Sequence, residues 1–227
     1  MNIEKFPVIF DLDGTLFDCK ELTNLTFPRT LEFLEERHPN QLEFKFFPSY
    51  EQFLGMVTDD IFAILLPNAS MEIIEEAKEI LIDVEFEYIP KAGKLFHHVE
   101  ETLKSLHADG YPLYIASNGS KEYVHKVIEV FSLQPYFVEL YSAGGQETKT
   151  KTELVAKLLH TYPSKNKGVM VGDRHSDIEA GSLNQLTTIG CEYGFGDERE
   201  IKDADILVNR IQDILPIIKK LSEKDPV

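Results

Sequence analysis

Val8-Ile-Phe-Asp11-Leu-Asp13-Gly14-Thr15-Leu-Phe-Asp18 is the stretch whose reading decides the fold. Phe6, Val8, Ile9 and Phe10 form a short apolar run, the pattern of a strand buried on both faces. The run stops at two carboxylates, Asp11 and Asp13, with Gly14 and Thr15 directly behind them. Carboxylates at the end of a buried strand are costly to desolvate, so their placement implies a compensating partner. Taken alone, the pattern also fits an exposed acidic turn with Gly14 at positive φ. The rest of the chain has to decide.

Beyond Asp18 the rhythm turns helical. Leu22, Leu25, Leu31, Phe33 and Leu34 recur near helical spacing over residues 21–38, with Pro28 a point where that helix can break. Residues 55–60 carry turn signals, and Pro67-Asn68 is a further breaker. From Ser70 a clearer helix presents Ile73, Ile74, Ala77, Ile80, Leu81 and Val84 on one face. The glutamates of residues 70–87 fill the other and read as a solvated surface. No alternating strand pattern interrupts residues 18–88, which are therefore expected to form a helical insert, with residues 1–17 and 89–227 as the core.

After about residue 90, short apolar runs alternate with helical patterns. Strands are expected at 112–116, 136–141, 168–171, 187–190 and 206–208, with helices between them and a closing helix at 211–221. That order predicts an α/β fold: a doubly wound, Rossmann-like parallel sheet carrying an inserted α-helical cap domain. In such sheets the site lies outside the carboxyl ends of the strands. Three strands end in polar groups there: Asp11 and Asp13, Ser117 and Asn118, and Asp173.

Composition narrows the partners. The 227 residues are 43% hydrophobic and 27% charged, as in an ordinary globular protein. A net charge of −16 argues against nucleic acid or an anionic membrane as partner. The longest apolar stretches, such as residues 61–67, are too short to span a bilayer. Cys19 and Cys191 sit in no metal-ligand spacing, which points to a reducing compartment, and the N-terminus shows no signal-peptide pattern. A cytoplasmic location is expected. Nothing in the sequence assigns an oligomeric state.

A parallel sheet would gather Asp11, Asp13, Asp173 and Asp177 into one cluster of like charges, unfavourable unless a cation joins them. A hard divalent ion with oxygen ligands suits this set, and Mg²⁺ fits best. Ser117 and Lys151 add a hydroxyl donor and an ammonium for an anionic oxygen. An aspartate nucleophile, a metal, a lysine and a hydroxyl are the parts of a phosphoryl-transfer site.

Four segments then carry a resemblance: Asp11-Leu-Asp-Gly-Thr, Ile115-Ala-Ser-Asn-Gly, Lys151-Thr-Glu-Leu-Val and Val171-Gly-Asp-Arg-His-Ser-Asp177. In this order, with a helical insert between the first two, they resemble the motifs of haloacid dehalogenase-like hydrolases. Within that group the chain is similar to phosphoglycolate phosphatase-like enzymes with a helical cap, and the run Tyr193-Gly-Phe-Gly-Asp197 is also similar to a segment of that subgroup. The resemblance implies that Asp11 attacks phosphorus and that Asp13 acts as acid and base. Ser117, helped by Asn118 and neighbouring N–H groups, and Lys151 would hold the phosphoryl oxygens. Mg²⁺ would be held by Asp11, the Asp13 carbonyl and Asp173, with Asp177 a further ligand or a partner of the ligands. The presence of Asp13 disfavours a dehalogenase, which lacks a second acid.

The expected activity is Mg²⁺-dependent hydrolysis of a small phosphorylated metabolite through an aspartyl-phosphate. The alternatives are a phosphomutase with the same catalytic residues and, from another class, a phospho-receiver signalling domain. Lys149 competes with Lys151 for the phosphate-binding role; the Thr150/Glu153 capping pattern favours Lys151 by placing it in a first helical turn. Ser117 has a second reading as a helix N-cap, and Asp177 one as a solvent-facing acid of a first helical turn. His97 and His98 read as helix-start or surface residues. Residues 55–60 are a candidate specificity loop by resemblance. Arg29, Lys45, Lys91 and Lys94 are candidates to meet a second anionic group on the substrate.

Overall fold

The computed structural model describes residues 5–146, 148–164 and 168–224. Strands are β1 (Val8–Phe10), β2 (Phe17–Asp18), β3 (Lys94–Leu95), β4 (Leu113–Ser117), β5 (Phe137–Ser142), β6 (Val169–Gly172), β7 (Thr187–Cys191) and β8 (Ile206–Val208). Helices are α1 (Lys20–Arg37), α2 (Thr58–Leu65), α3 (Met71–Ala92), α4 (Val99–Ala108) and α5 (Lys121–Val130). They continue with α6 (Ala143–Gln146), α7 (Lys151–Thr161), α8 (His175–Leu183), α9 (Glu198–Ile201) and α10 (Ile214–Lys224).

Six strands make one parallel sheet in the order β5-β4-β1-β6-β7-β8. The chain winds outward from β1 in both directions, so the crevice at the β1 end is the topological switch point. Val8, Ile9 and Phe10 are fully buried because helices cover both faces of the sheet. One apolar cluster, including Phe10, Val127 and Ile218, lies on one side; another, with Ile9, Leu154 and Met170, lies on the other.

A separate apolar cluster holds the helical insert together. Phe27, Leu31, Leu34, Phe62, Leu65 and Leu81 meet there, drawn from α1, α2 and α3. Burying such side chains is worth ~1.5–3 kcal/mol each, enough to keep α1 continuous across Pro28, which costs it one ladder hydrogen bond. The break that the sequence allows at Pro28 is therefore absent. Similarly, α3 runs unbroken from Met71 through Pro90 to Ala92. The chain leaves and re-enters the core beside the sheet's carboxyl end, where β2 and β3 pair antiparallel, Phe17 opposite Leu95. Among the described residues no helix is long and apolar enough to cross a membrane.

Candidate active site

Register places the acids. Phe10 stands beside Ile115 on one neighbour strand and Val171 on the other. Asp11 therefore follows at the level of Ala116 and Gly172, and its N–H still donates to the Val171 carbonyl at 2.9 Å. A tight turn follows, with Phe17 N–H donating to the Leu12 carbonyl at 2.9 Å and Gly14 N–H to Phe17 at 2.9 Å. Gly14 has φ +90, and a Cβ there would lie 2.3 Å from a carboxylate oxygen of Asp173. Glycine lets the turn after β1 press against the carboxyl end of β6.

Asp11, Asp173 and Asp177 are all buried, each with a carboxylate oxygen within 4.8 Å of the others. Lys151 is also buried, and its Nζ donates to Asp11 Oδ1 and Asp177 Oδ1 at 2.6 Å each. Thr150 caps α7 by accepting from Glu153 N–H at 3.2 Å, which sets Lys151 in the first turn facing the cluster. Lys149 stays exposed. Asp177, fully buried, sits in the first turn of α8, where its Oδ2 accepts from Arg174 N–H at 2.9 Å. The solvent-facing reading of Asp177 fails because this back-bond turns the side chain inward.

Asp173 is held from three sides. Thr15 Oγ1 donates to its Oδ1 at 3.3 Å, while the N–H groups of Phe195 and Gly196 donate to its Oδ2 at 2.7 and 3.2 Å. Burial still dominates, and together with Asp177 it pushes the Asp173 carboxyl up to about 6 despite those N–H donors. Burial also holds Asp11 well above its ordinary value, against the pull of Lys151. For Lys151 burial works the other way, but Asp11 and Asp177 overcome it and keep the ammonium protonated. Three buried carboxylates against one buried ammonium leave an excess of negative charge surrounded by oxygen donors. That donor set fits a hard divalent cation.

Asp13 points elsewhere. Its Oδ1 accepts from Tyr123 Oη at 2.7 Å, and the Cys19 thiol also bonds it. Burial raises its carboxyl, partly offset by those two donors. Asp13 opens onto a cavity of about 120 Å³ between sheet and insert, lined also by Asp11, Ser117, Asn118 and Lys151. The insert supplies the opposite wall, including Phe27, Phe53, Leu81 and Glu85. Ser117 is not an N-cap: α5 is capped by Ser120, whose Oγ accepts from Tyr123 N–H at 3.1 Å, while Ser117 Oγ accepts from Gly119 N–H at 3.1 Å.

A sequence model described as haloacid dehalogenase-like hydrolase matches residues 8–191. The chain belongs to the haloacid dehalogenase-like hydrolase family. Over 219 residues it is 26% identical to pyrophosphatase PpaX of Bacillus cereus (strain B4264), covering 95% of this chain and 97% of that protein. The crystal structure of a predicted phosphatase from Clostridium acetobutylicum superposes with TM-score 0.71 at 25% identity, covering 97% of this chain and 100% of that one. That of a predicted phosphoglycolate phosphatase from Haemophilus somnus 129pt gives TM-score 0.78 at 20% identity, over 94% of this chain and 97% of that one, and shows the shared fold. Membership removes the phospho-receiver alternative.

Within this hydrolase, several site residues escape sequence reading. Tyr123 is paired with Asp13 across 110 positions in the chain. Arg174 crosses to the insert, its Nη1 donating to the Leu54 carbonyl at 2.9 Å while its Nε bonds Glu200 at 2.8 Å. Asn118 Nδ2 donates to the next carbonyl, that of Gly55, at 3.2 Å. Residues 55–60 do reach the cavity, through Gly55, Met56 and Thr58. Arg29, Lys45, Lys91 and Lys94 do not line it. Arg29 pairs with Glu32, Lys91 with Glu87 and Lys94 with Glu21, all on the outer surface. The glutamate face of α3 is also not wholly solvated, since Glu85 turns inward. His98 starts α4 as its N-cap residue, as expected.

Proposed function

We propose that the protein is a cytoplasmic, Mg²⁺-dependent phosphatase that hydrolyses a small phosphorylated metabolite through an aspartyl-phosphate on Asp11. One observation carries this reading: Asp11 is bonded to Lys151 inside a buried carboxylate cluster, while Asp13, two residues on, faces the same cavity from outside that cluster. The division supplies a nucleophile and a separate proton carrier. Relatives named as a pyrophosphatase and a phosphatase support the reaction class.

In the first step an Asp11 oxygen attacks phosphorus, the phosphorus–oxygen bond to the leaving group breaks, and Asp13 gives its proton to that oxygen. In the second step Asp13 takes a proton from water, the water oxygen attacks phosphorus, and the Asp11–phosphorus bond breaks to release phosphate. Lys151, Ser117 and Asn118 hold the phosphoryl oxygens in line, and Tyr123 orients Asp13. Asp11, Asp173 and the Asp13 carbonyl would hold Mg²⁺, with Asp177 a further ligand or a partner of the ligands, and the ion would supply positive charge to neutralise the transferring group. Residues 18–88 act as a cap over the core of residues 1–17 and 89–227, excluding bulk water. Their separate apolar cluster supports that division.

The test is phosphate release across a panel of phosphoesters, with Mg²⁺ or EDTA, for the wild type and Asp11→Asn. Mg²⁺-dependent release that Asp11→Asn abolishes is expected. Full turnover by Asp11→Asn would refute the nucleophile, and isomerised substrate without free phosphate would convert the reading to a phosphomutase.

A further inference from the structure

The cavity wall donated by α3 contains one acid, Glu85. Among the described residues it takes part in no hydrogen bond or ion pair, unlike Glu76 and Glu87 of the same helix, which hold Arg37 and Lys91. Burial and the nearby Asp13 carboxylate raise its carboxyl well above the ordinary range. Glu85 is half-buried on the cavity wall, so its carboxyl is left to meet whatever enters the cavity.

The basic groups lining the cavity already have theirs. Lys151 is bonded to Asp11 and Asp177, and Arg174 to Glu200 and the Leu54 carbonyl. Lys78 is bonded to Asp59 at 2.7 Å and Glu75 at 2.9 Å. The cap side therefore offers a leaving group no uncommitted cation, only apolar side chains, the hydroxyls of Thr23 and Thr58, and Glu85. Its free volume of about 120 Å³ is below the ~300 Å³ at which drug-sized pockets begin. A leaving group of a few carbons suits that space.

We propose that Glu85 selects the leaving group: the substrate is the phosphomonoester of a small alcohol that carries a hydroxyl or ammonium donor and no second anion. The inference rests on the phosphatase reading above and narrows it. A donor on the leaving group satisfies Glu85. A carboxylate or second phosphate brings no donor to Glu85 and meets like charge wherever Glu85 or Asp13 is ionised, a mismatch that excludes competitors as attraction selects the substrate.

The experiment measures kcat/KM for phosphate release by the full chain with Mg²⁺. The probes are glycerol phosphate, phosphoethanolamine, phosphoglycolate and pyrophosphate, with p-nitrophenyl phosphate as a leaving group lacking both features. At least one donor-bearing ester is expected to exceed both doubly anionic probes tenfold or more. Glycerol phosphate leading identifies a hydroxyl partner for Glu85, and phosphoethanolamine leading an ammonium. Glu85→Lys is expected to shift the ratio toward phosphoglycolate at least tenfold. Glu85→Gln, which keeps the shape, is expected to lower the donor-over-anion ratio threefold or more. Turnover of p-nitrophenyl phosphate together with equal or better use of phosphoglycolate or pyrophosphate would overturn this inference and leave the phosphatase reading intact. Ratios unmoved in both variants would do the same. No Asp11-dependent release from any probe would overturn both.

Discussion

Arg174 and Asn118 hold two consecutive carbonyls of the insert, those of Leu54 and Gly55, against the sheet. Arg174→Met keeps the aliphatic stem and deletes the guanidinium. A hydrogen bond from a charged donor contributes ~1.5–3 kcal/mol net. The Arg174 side chain retains 26% of its exposure, so the lower end applies, about 1.5 kcal/mol. At ~1.4 kcal/mol per tenfold change, local opening of the loop becomes about tenfold more frequent. Hydrogen exchange in the ligand-free protein reads that opening directly. The Leu54 and Met56 amides, bonded to Glu51 and Phe53 carbonyls at 3.1 Å each, should exchange about tenfold faster. Amides of β4 should not change. Asn118→Ala, losing a neutral bond worth ~1 kcal/mol, should give about fivefold. For Arg174→Met, KM in the phosphatase assay should rise with the exchange rate. Unchanged exchange at Leu54 and Met56 in both variants would refute the idea that these two side chains hold the loop down.

Two further outcomes separate roles inside the cluster. Lys151→Ala leaves Asp11 and Asp177 buried without their ammonium, so it should abolish turnover and cost ~3–5 kcal/mol in urea melts, whereas Lys149→Ala should leave both within error; equal effects would refute the placement of Lys151. Asp173 holds its proton more tightly folded than unfolded, so its contribution is complete below about pH 4 and is lost as pH rises through about 6. In EDTA, Asp173→Asn should therefore gain on the wild type by ~3 kcal/mol between pH 4 and pH 7, and Mg²⁺ should narrow the gap; a difference flat with pH would refute it.

Much of the sheet was legible because its strands are buried on both faces and so read as apolar runs, as Val8–Phe10 and Val169–Gly172 do. The acids at their ends were legible for the same reason, since a carboxylate closing such a run stands out. Lys151 was separable from Lys149 because a local capping interaction fixes its direction. Contacts between distant segments left no such signal. Tyr123 reads as one more apolar position of α5, and only the packed fold brings its hydroxyl to Asp13. Glu85 has the spacing of a surface glutamate, but the packing of the insert against the sheet brings its side chain to the cavity wall. The four basic residues considered for a second anion failed in the opposite sense: local acids hold Arg29 and Lys91 outward one turn away on their own helices. Pro28 and Pro90 show that local breakers yield when tertiary packing holds the helix around them.

The antiparallel pairing of β2 with β3 also governs how the insert can move. Both crossings between sheet and insert run through that ribbon, and Phe96 N–H adds a further bond to the Leu16 carbonyl at 3.0 Å. Gly93 lies so close to Phe17 that a Cβ there would stand 2.5 Å from the ring. Two tethers bonded along their length cannot slide past each other or swivel separately; they flex together across the flat of the ribbon. Any swing of the insert is then confined to one direction, like a door on a strap hinge. Arg174 and Asn118 grip Leu54 and Gly55 at the edge of the same cavity that Glu85 and Asp13 line. A swing of the insert away from the sheet would thereby release the grip on the loop and the wall that meets the leaving group together.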